Sequence, residues 1–341
     1  MIITNIILDP YELKLSNPII NSRNKYFLKK GYLVKIKSNE YNGYGEVAPL
    51  DFFSTETIED IYICYKNFIN AINLNTDIPL KNILNLIMKY CKTAPSLIFG
   101  LETALYDIKS REKNISLSKY FNLDSSNTVH FSSYYNSNNI SNSNRIKIKI
   151  GKGSIEDEIL KIKSIINDSS NSVKIRLDAN RAYDLSDLLL INQSINKNYI
   201  DYIEEPFKDP TLDKYKYIQE HTSLNLGIDE TIYLNHNYIN FINKKYIDVL
   251  VIKPSIYGSY SNFFKLCNIA KKNNIRIILS SSLEGIVGNM ATIHLAACIN
   301  NNEKHGLNIH SFYNTNVDID NYNIKENKVI VKNTIGLGVI E

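Results

Sequence analysis

The chain has 341 residues, 44% of them apolar, and a formal net charge of +4 at pH 7, enough for one large domain plus a smaller one, or for two medium domains. Its basic residues are spread along the whole length, which argues against a nucleic-acid partner. No run approaches the roughly 18 apolar residues of a membrane span, and Met1 to Pro10 has neither a basic n-region nor a long apolar stretch, so the expectation is a cytoplasmic protein without membrane partners.

The first fifty residues read as strands and turns: Leu33 to Lys37 is strand-like, and Asn42-Gly43 is a turn signal before Tyr44 to Ala48. The period then changes. Thr55, Thr57 or Asp77 can each begin a helix, and Ile58, Ile61, Ile63, Tyr65, Phe68 and Ile69 suit a buried helical face. Leu80 to Lys92 and Leu97 to Arg111 continue as helices. Strands followed by helices, with no alternation, predict an α+β unit over residues 1–125. The four cysteines, Cys64, Cys91, Cys267 and Cys298, form no C-x-x-C and read as buried thiols.

From about Val129 short β-branched runs that end in a polar group alternate with helix-like segments. The strand candidates are Arg145 to Ile150, Val173 to Asp178, Tyr199 to Glu204, Leu226 to Asp229, Val249 to Lys253 and Arg276 to Ser280. Their ends recur at intervals of about 24 to 29 residues, close to the length of one βα unit. Six such units predict an α/β architecture, a (β/α) barrel of TIM type over residues 126–316, rather than a doubly wound sheet. His305 to Ile309 is a candidate closing strand. Residues 317–341 return to short strand runs, Lys328 to Lys332 and Leu337 to Ile340, and are expected to pack back on the first domain.

In a parallel barrel the carboxyl ends of the strands face the active site. Lys147 and Lys149 share one face of their strand while Ile146, Ile148 and Ile150 take the other, and Arg176 and Asp178 repeat the pattern against Ile175 and Leu177. Asp178, Glu204 and Asp229 end three successive strands. Three carboxylates converging on one mouth repel unless a cation lies among them, and oxygen ligands without His or Cys select Mg²⁺ over zinc. Glu205 and Glu230 immediately follow two of these acids, so the ligand set is not automatic; strand alternation favours Glu204, with Tyr202, as inward. Lys253 ends the fifth candidate strand, across an eight-stranded ring from that of Lys149. A lysine acts as a base only when neutral, and cationic neighbours push its pKa down as that requires.

These residues resemble the lysine-based, muconate-lactonizing-like branch of the enolase superfamily, whose sites use a Lys or His base with Mg²⁺. The matching motifs are Lys147-Ile148-Lys149, Asp178-Ala179-Asn180, Glu204-Glu205-Pro206, Asp229-Glu230 and Lys253-Pro254. Within that branch the chain is similar to the o-succinylbenzoate synthases, a family of menaquinone-pathway dehydratases. Gly43-Tyr44-Gly45-Glu46-Val47-Ala48-Pro49-Leu50, then Phe53 to Thr57, look like that family's capping-domain loop. Pro95-Ser96, Phe99-Gly100, Ala104-Leu105, Ser281-Ser282-Leu283-Glu284 and Gly306-Leu307 are further landmarks. Tyr44 stands where the family often has Trp, and Asp51-Phe52 replace its usual Pro-Gly.

The resemblance implies a TIM-type barrel behind an N-terminal α+β capping domain, and a small carboxylate substrate. It implies Mg²⁺ held by Asp178, Glu204 and Asp229, with Lys149 as base then general acid, Lys253 facing it, and Lys147 assisting. Phe53, Ser54, Arg176, Asn180, Ser281, Ser282, Glu284 and Gly306 are the residues it assigns to substrate contact. Dipeptide epimerases, muconate cycloisomerases and N-acylamino acid racemases share the lysines and acids. Lys304 to His310, where epimerases hold a dipeptide's amino group, contains no Asp-x-Asp. A non-catalytic ligand-binding barrel would leave five charged strand ends unexplained.

Overall fold

A computed structural model describes residues 1–20, 25–50, 56–135, 144–169, 173–308, 313, 324–325, 327–331 and 334–339. The chain divides into two compact units, one of Met1–His130, Lys253–Phe264 and Leu279–Glu341, the other of Phe131–Ile252 and Lys265–Ile278.

The first unit opens with an antiparallel sheet of β1 (Ile3–Ile20), β2 (Lys25–Ser38) and β3 (Asn42–Val47), in chain order. Helices α1 (Ile58–Ala71), α2 (Leu80–Tyr90), α3 (Pro95–Glu112) and α4 (Leu117–Phe121) follow. Of the three candidate helix starts, Thr57 is the one that begins α1, forming a capping box with Asp60. Ile61, Cys64 and Phe68 are the buried face of α1; Ile63, expected there, is 52% exposed. Two positions past Ile61 places it about 200° round the helix. Val34, Ile36, Phe68, Ile87, Leu97 and Leu101 belong to one core between sheet and helices. Strand β3 lies directly on α3: a Cβ added at Gly43 would stand 2.0 Å from the Ala104 carbonyl oxygen, and one at Gly45 2.0 Å from that of Gly100. Only glycine permits that approach.

Strand β4 (Thr128–Phe131) leads to β5 (Ser133–Tyr134), and alternation begins. The order is β6 (Arg145–Lys149), α5 (Ile155–Asp168), β7 (Lys174–Asp178), α6 (Leu185–Ser194), β8 (Ile200–Glu204), α7 (Leu212–His221) and β9 (Leu226–Ile228). Then come α8 (Glu230–Leu234), α9 (Ile239–Asn243), β10 (Val249–Ile252), α10 (Pro254–Tyr257), α11 (Tyr260–Lys272) and β11 (Arg276–Leu279). Strands β5 to β11 form one seven-stranded sheet in chain order, parallel from β5 to β10. Every residue of β8, β9 and β10 is buried, as in a parallel sheet covered on both faces. Ser154 caps α5, as its position suggests.

The chain closes with α12 (Ile286–Ile299), β12 (Lys304–His305), β13 (Ile324–Lys325) and β14 (Lys328–Ile330). Strands β12, β4, β14 and β13 make a four-stranded sheet in that order. The expected strand at Leu337 is instead a turn following a bridge between Gly336 and Ser116; Ile309, Lys332 and Ile340 lie outside the described residues. His294 is a core residue: its Nδ1 accepts from the Ser118 amide, and burial pushes its pKa down to about 4. The four cysteines are buried and form no disulfide. Among the described residues no helix is long and apolar enough to cross a membrane.

Candidate active site

The carboxyl ends of β6, β7 and β8 stand side by side. Lys149 is in register with Asp178, and Asp178 with Glu204. The two lysines of β6 have different surroundings. Lys147 is buried, its ammonium 2.9 Å from Asp178 Oδ2 and 2.8 Å from Glu204 Oε1. Burial alone would lower its pKa, but the charges of Asp178 and Glu204 overcome that and raise it well above the ordinary range, so Lys147 is a fixed cation. Lys149 is exposed.

Asp229, 4% exposed, follows β9 and stands at the N-cap of α8. Next to Glu204, the fully buried carboxylate of Glu205 accepts from the Asp229 amide at 2.8 Å, the Thr231 amide at 3.1 Å and Arg181 Nε at 2.8 Å. Asn180, exposed, donates from Nδ2 to Glu230 Oε1 at 3.0 Å. Arg176 is placed elsewhere: its Nε donates to Asp201 Oδ2 at 2.9 Å and its guanidinium lies 5.3 Å from the ring centre of Tyr202. At 1% exposed it is buried in that pair.

The other expected residues belong to the first unit. Lys253, 8% exposed, is the N-cap residue of α10. Glu284 gathers the loop before α12: Oε2 accepts from Ser281 Oγ at 2.9 Å and from Ser282 Oγ at 2.8 Å, while the Ser282 hydroxyl pairs with that of Ser255. Gly306 bridges Ser280, and its carbonyl accepts from the Ser281 amide at 3.0 Å. Phe53 and Ser54 lie outside the described residues, as do 51–55 altogether.

Two residues of this unit escaped the sequence reading as individuals. Glu46 accepts from the amides of Gly285 and Gly288 at the start of α12 and from the Tyr11 hydroxyl; burial raises its pKa against those donors. Lys29 is buried with its ammonium on the carbonyls of Ala48, Pro49 and Ser282. The glycine-rich motif around Glu46 was a signal for the first. Lys29 had none.

Asp178, Glu204 and Asp229 offer carboxylate oxygens only, a donor set that suits Mg²⁺. Among the described residues no group of three or more His, Cys, Asp or Glu stands together as a formed metal cluster; two of the three acids instead meet around the Lys147 ammonium. That pair shows that this end of the sheet accommodates positive charge between carboxylates. The fit to the ion is one of donor chemistry and strand position.

Residues 140–340 match the family described as Enolase C-terminal domain-like, and residues 4–108 match the MenC N-terminal domain. The chain is 25% identical over 292 residues to the o-succinylbenzoate synthase of Pasteurella multocida, covering 82% of this chain and 81% of that protein. It is 24% identical over 282 residues to the hydrophobic dipeptide epimerase of Enterococcus faecalis, covering 79% of each. Its fold is similar to a substrate-liganded L-Ala-D/L-Glu epimerase from Bacillus subtilis, with TM-score 0.87, 20% identity and coverage of 100% and 99% of the two chains. The muconate lactonizing enzyme of Pseudomonas putida gives 0.83 at 16% identity, covering 100% and 97%. The first family match takes in more than half of the sequence, with the ends of β6 to β10 inside it; the chain belongs to the enolase superfamily.

Proposed function

We propose that this protein is a Mg²⁺-dependent carbon–oxygen lyase that converts 2-succinyl-6-hydroxy-2,4-cyclohexadiene-1-carboxylate to 2-succinylbenzoate, the o-succinylbenzoate synthase step of menaquinone synthesis. The observation that carries the reading is the match of residues 4–108 to the MenC N-terminal domain. The strand-end motifs are common to the superfamily, so the N-terminal part distinguishes one member from another. In this reading residues 1–125 are the capping domain, residues 126–316 a (β/α) barrel of TIM type, and residues 317–341 pack back on the first.

Asp178, Glu204 and Asp229 hold Mg²⁺, whose chemistry is to offset the negative charge that grows on the substrate carboxylate, an effect of several kcal/mol. Lys149 takes the proton from the carbon beside that carboxylate. It then protonates the departing hydroxyl: a C–H and a C–O bond break, a C=C bond forms, and water leaves. Lys253 contributes positive charge to the carboxylate as it becomes electron-rich. Lys147 keeps Asp178 and Glu204 apart and in place. Ser281, Ser282, Glu284, Gly306, Asn180, Phe53 and Ser54 bound the substrate.

The experiment is turnover of the hydroxycyclohexadiene substrate by the purified protein, with EDTA inhibition reversed by Mg²⁺. Absence of turnover with Mg²⁺ present refutes the assignment. A second reading, dipeptide epimerisation, is favoured by the Enterococcus relative and the Bacillus fold neighbour. There Lys149 and Lys253 exchange the α-proton from opposite faces. Solvent deuterium entering L-Ala-L-Glu, without dehydratase activity, would establish it instead.

A further inference from the structure

Glu205 is a buried carboxylate that the proposed chemistry does not use. It lies one residue past the end of β8 with φ of 42°, in the left-handed region that residues with a side chain seldom occupy. Its backbone joins three strand ends: its amide donates to the Gly227 carbonyl at 2.8 Å, and its own carbonyl accepts from the Arg181 amide at 2.8 Å. Its side chain receives four hydrogen bonds. Oε1 accepts from Arg181 Nε and the Thr231 hydroxyl, Oε2 from the amides of Asp229 and Thr231.

The last two bonds bear on Asp229. An aspartate at an N-cap ordinarily turns its own carboxylate back onto the first amides of the helix. Asp229 makes no such side-chain cap to α8. Glu205, from the neighbouring strand, takes the Thr231 amide instead, and holds the Asp229 amide with its second contact. The carboxylate of Asp229 is thereby not engaged as the cap, while its backbone is fixed.

We infer that Glu205 is the positioning residue of the metal site, acting as a surrogate helix cap that sets how Asp229 presents its carboxylate to Mg²⁺; this rests on the metal site proposed above. Both Glu205 oxygens are occupied by protein donors, so it acts through Asp229 and not as a ligand. Glu205→Gln is the direct test, because in either orientation the amide sets its own N–H groups against two of the four donors. Thr231→Val removes one donor and spares both backbone amides.

Mg²⁺ binding to the purified full chain is measured by titration calorimetry and by the Tm shift that Mg²⁺ produces. Groups that orient metal ligands typically change affinity about 10- to 100-fold when altered. That is the loss expected for E205Q, with kcat recovered at saturating Mg²⁺, and T231V should weaken binding severalfold. A purely structural role would lower the Tm of E205Q equally with and without Mg²⁺ and leave the affinity unchanged, which overturns the inference while the metal site stands. A folded wild-type protein that takes up no Mg²⁺ overturns the metal reading and this inference together. If E205Q does not fold, T231V decides: unchanged affinity there refutes the role.

Discussion

At the start of β8 the carboxylate of Asp201 is met by three guanidiniums, Arg176 and Arg276 at 2.9 Å and Arg145 at 3.4 Å; at the end of the same strand Glu204 shares one ammonium, that of Lys147, with Asp178. Three residues, roughly 10 Å of strand, separate the two arrangements. Burial alone would raise the Asp201 carboxyl, but Arg176 and Arg276 hold it below the ordinary range. That end ties β6, β7, β8 and β11 together with cations in excess. At the other end Asp178, Glu204, Glu205 and Asp229 are all buried, and acids are in excess. Stability alone gives no reason for the second arrangement; the proposed Mg²⁺ would supply one.

The sharpest separation of the two ends is by activity. Glu204→Gln should lower kcat/KM for the proposed substrate by about 10³-fold or more while leaving Tm within a few degrees. Retained activity in that variant, or in the EDTA-treated protein, would remove the functional half of the comparison.

Asp201→Ala should do the reverse. Losing the common acceptor leaves Arg176 buried without its carboxylate, which costs about 3–5 kcal/mol in comparable cases, read by urea denaturation. The folded fraction should keep wild-type kcat. A variant of unchanged stability would show that the arginines do not depend on Asp201.

pH gives a smaller effect. The Asp201 pKa is depressed, so its contribution is fully present above the unfolded value of about 3.9 and is lost only as pH falls through the lower folded value. Glu56 and Glu102, which accept from the starts of α3 and α11, are pushed up to about 7, chiefly by burial. A raised carboxyl favours the native state below its unfolded pKa and loses that advantage as pH rises through the folded one. Tm should therefore fall from pH 5 to pH 8, and Glu102→Gln should remove part of the decline. An unchanged slope in that variant would place the titrating group elsewhere.

The smallest effect belongs to Arg145, whose side chain is 28% exposed. Arg145→Ala should cost less than about 1 kcal/mol, and a much larger loss would mean that the cluster acts as one unit rather than through Arg176.

What the sequence made legible follows the same division. Six strand candidates end within a residue of β6 to β11, because each β-branched run stops at a polar group that the fold uses. The α3 helix was equally readable from periodicity, whereas Thr57 was one of three candidate helix starts until the structure placed the α1 cap there. Contacts between distant residues were not. Nothing local to Arg176 says that its guanidinium turns to Asp201 on the next strand, and strand alternation alone grouped it with Asp178. Lys147 and Lys149 share a face in the sequence, yet only one is paired and buried, since the acids that claim it come from β7 and β8. Lys29 and Glu46 likewise take their roles from the loop before α12.

The Glu46 cap has a consequence for how the protein is made. The amides of Gly285 and Gly288 are separated from Glu46 by 239 and 242 residues, and the Leu337 amide from Asp107 by 230. During synthesis β3 and α3 emerge well before the amides that Glu46 and Asp107 accept from. Contacts this far apart form late, because the intervening chain must first be ordered or looped out. The stretch Phe131–Ile252 meets most of its own neighbours long before. The β3 segment is thus completed long after it is made, and in the interval the nascent chain carries a buried-type carboxylate without its two amide donors, a stage at which aggregation competes with folding.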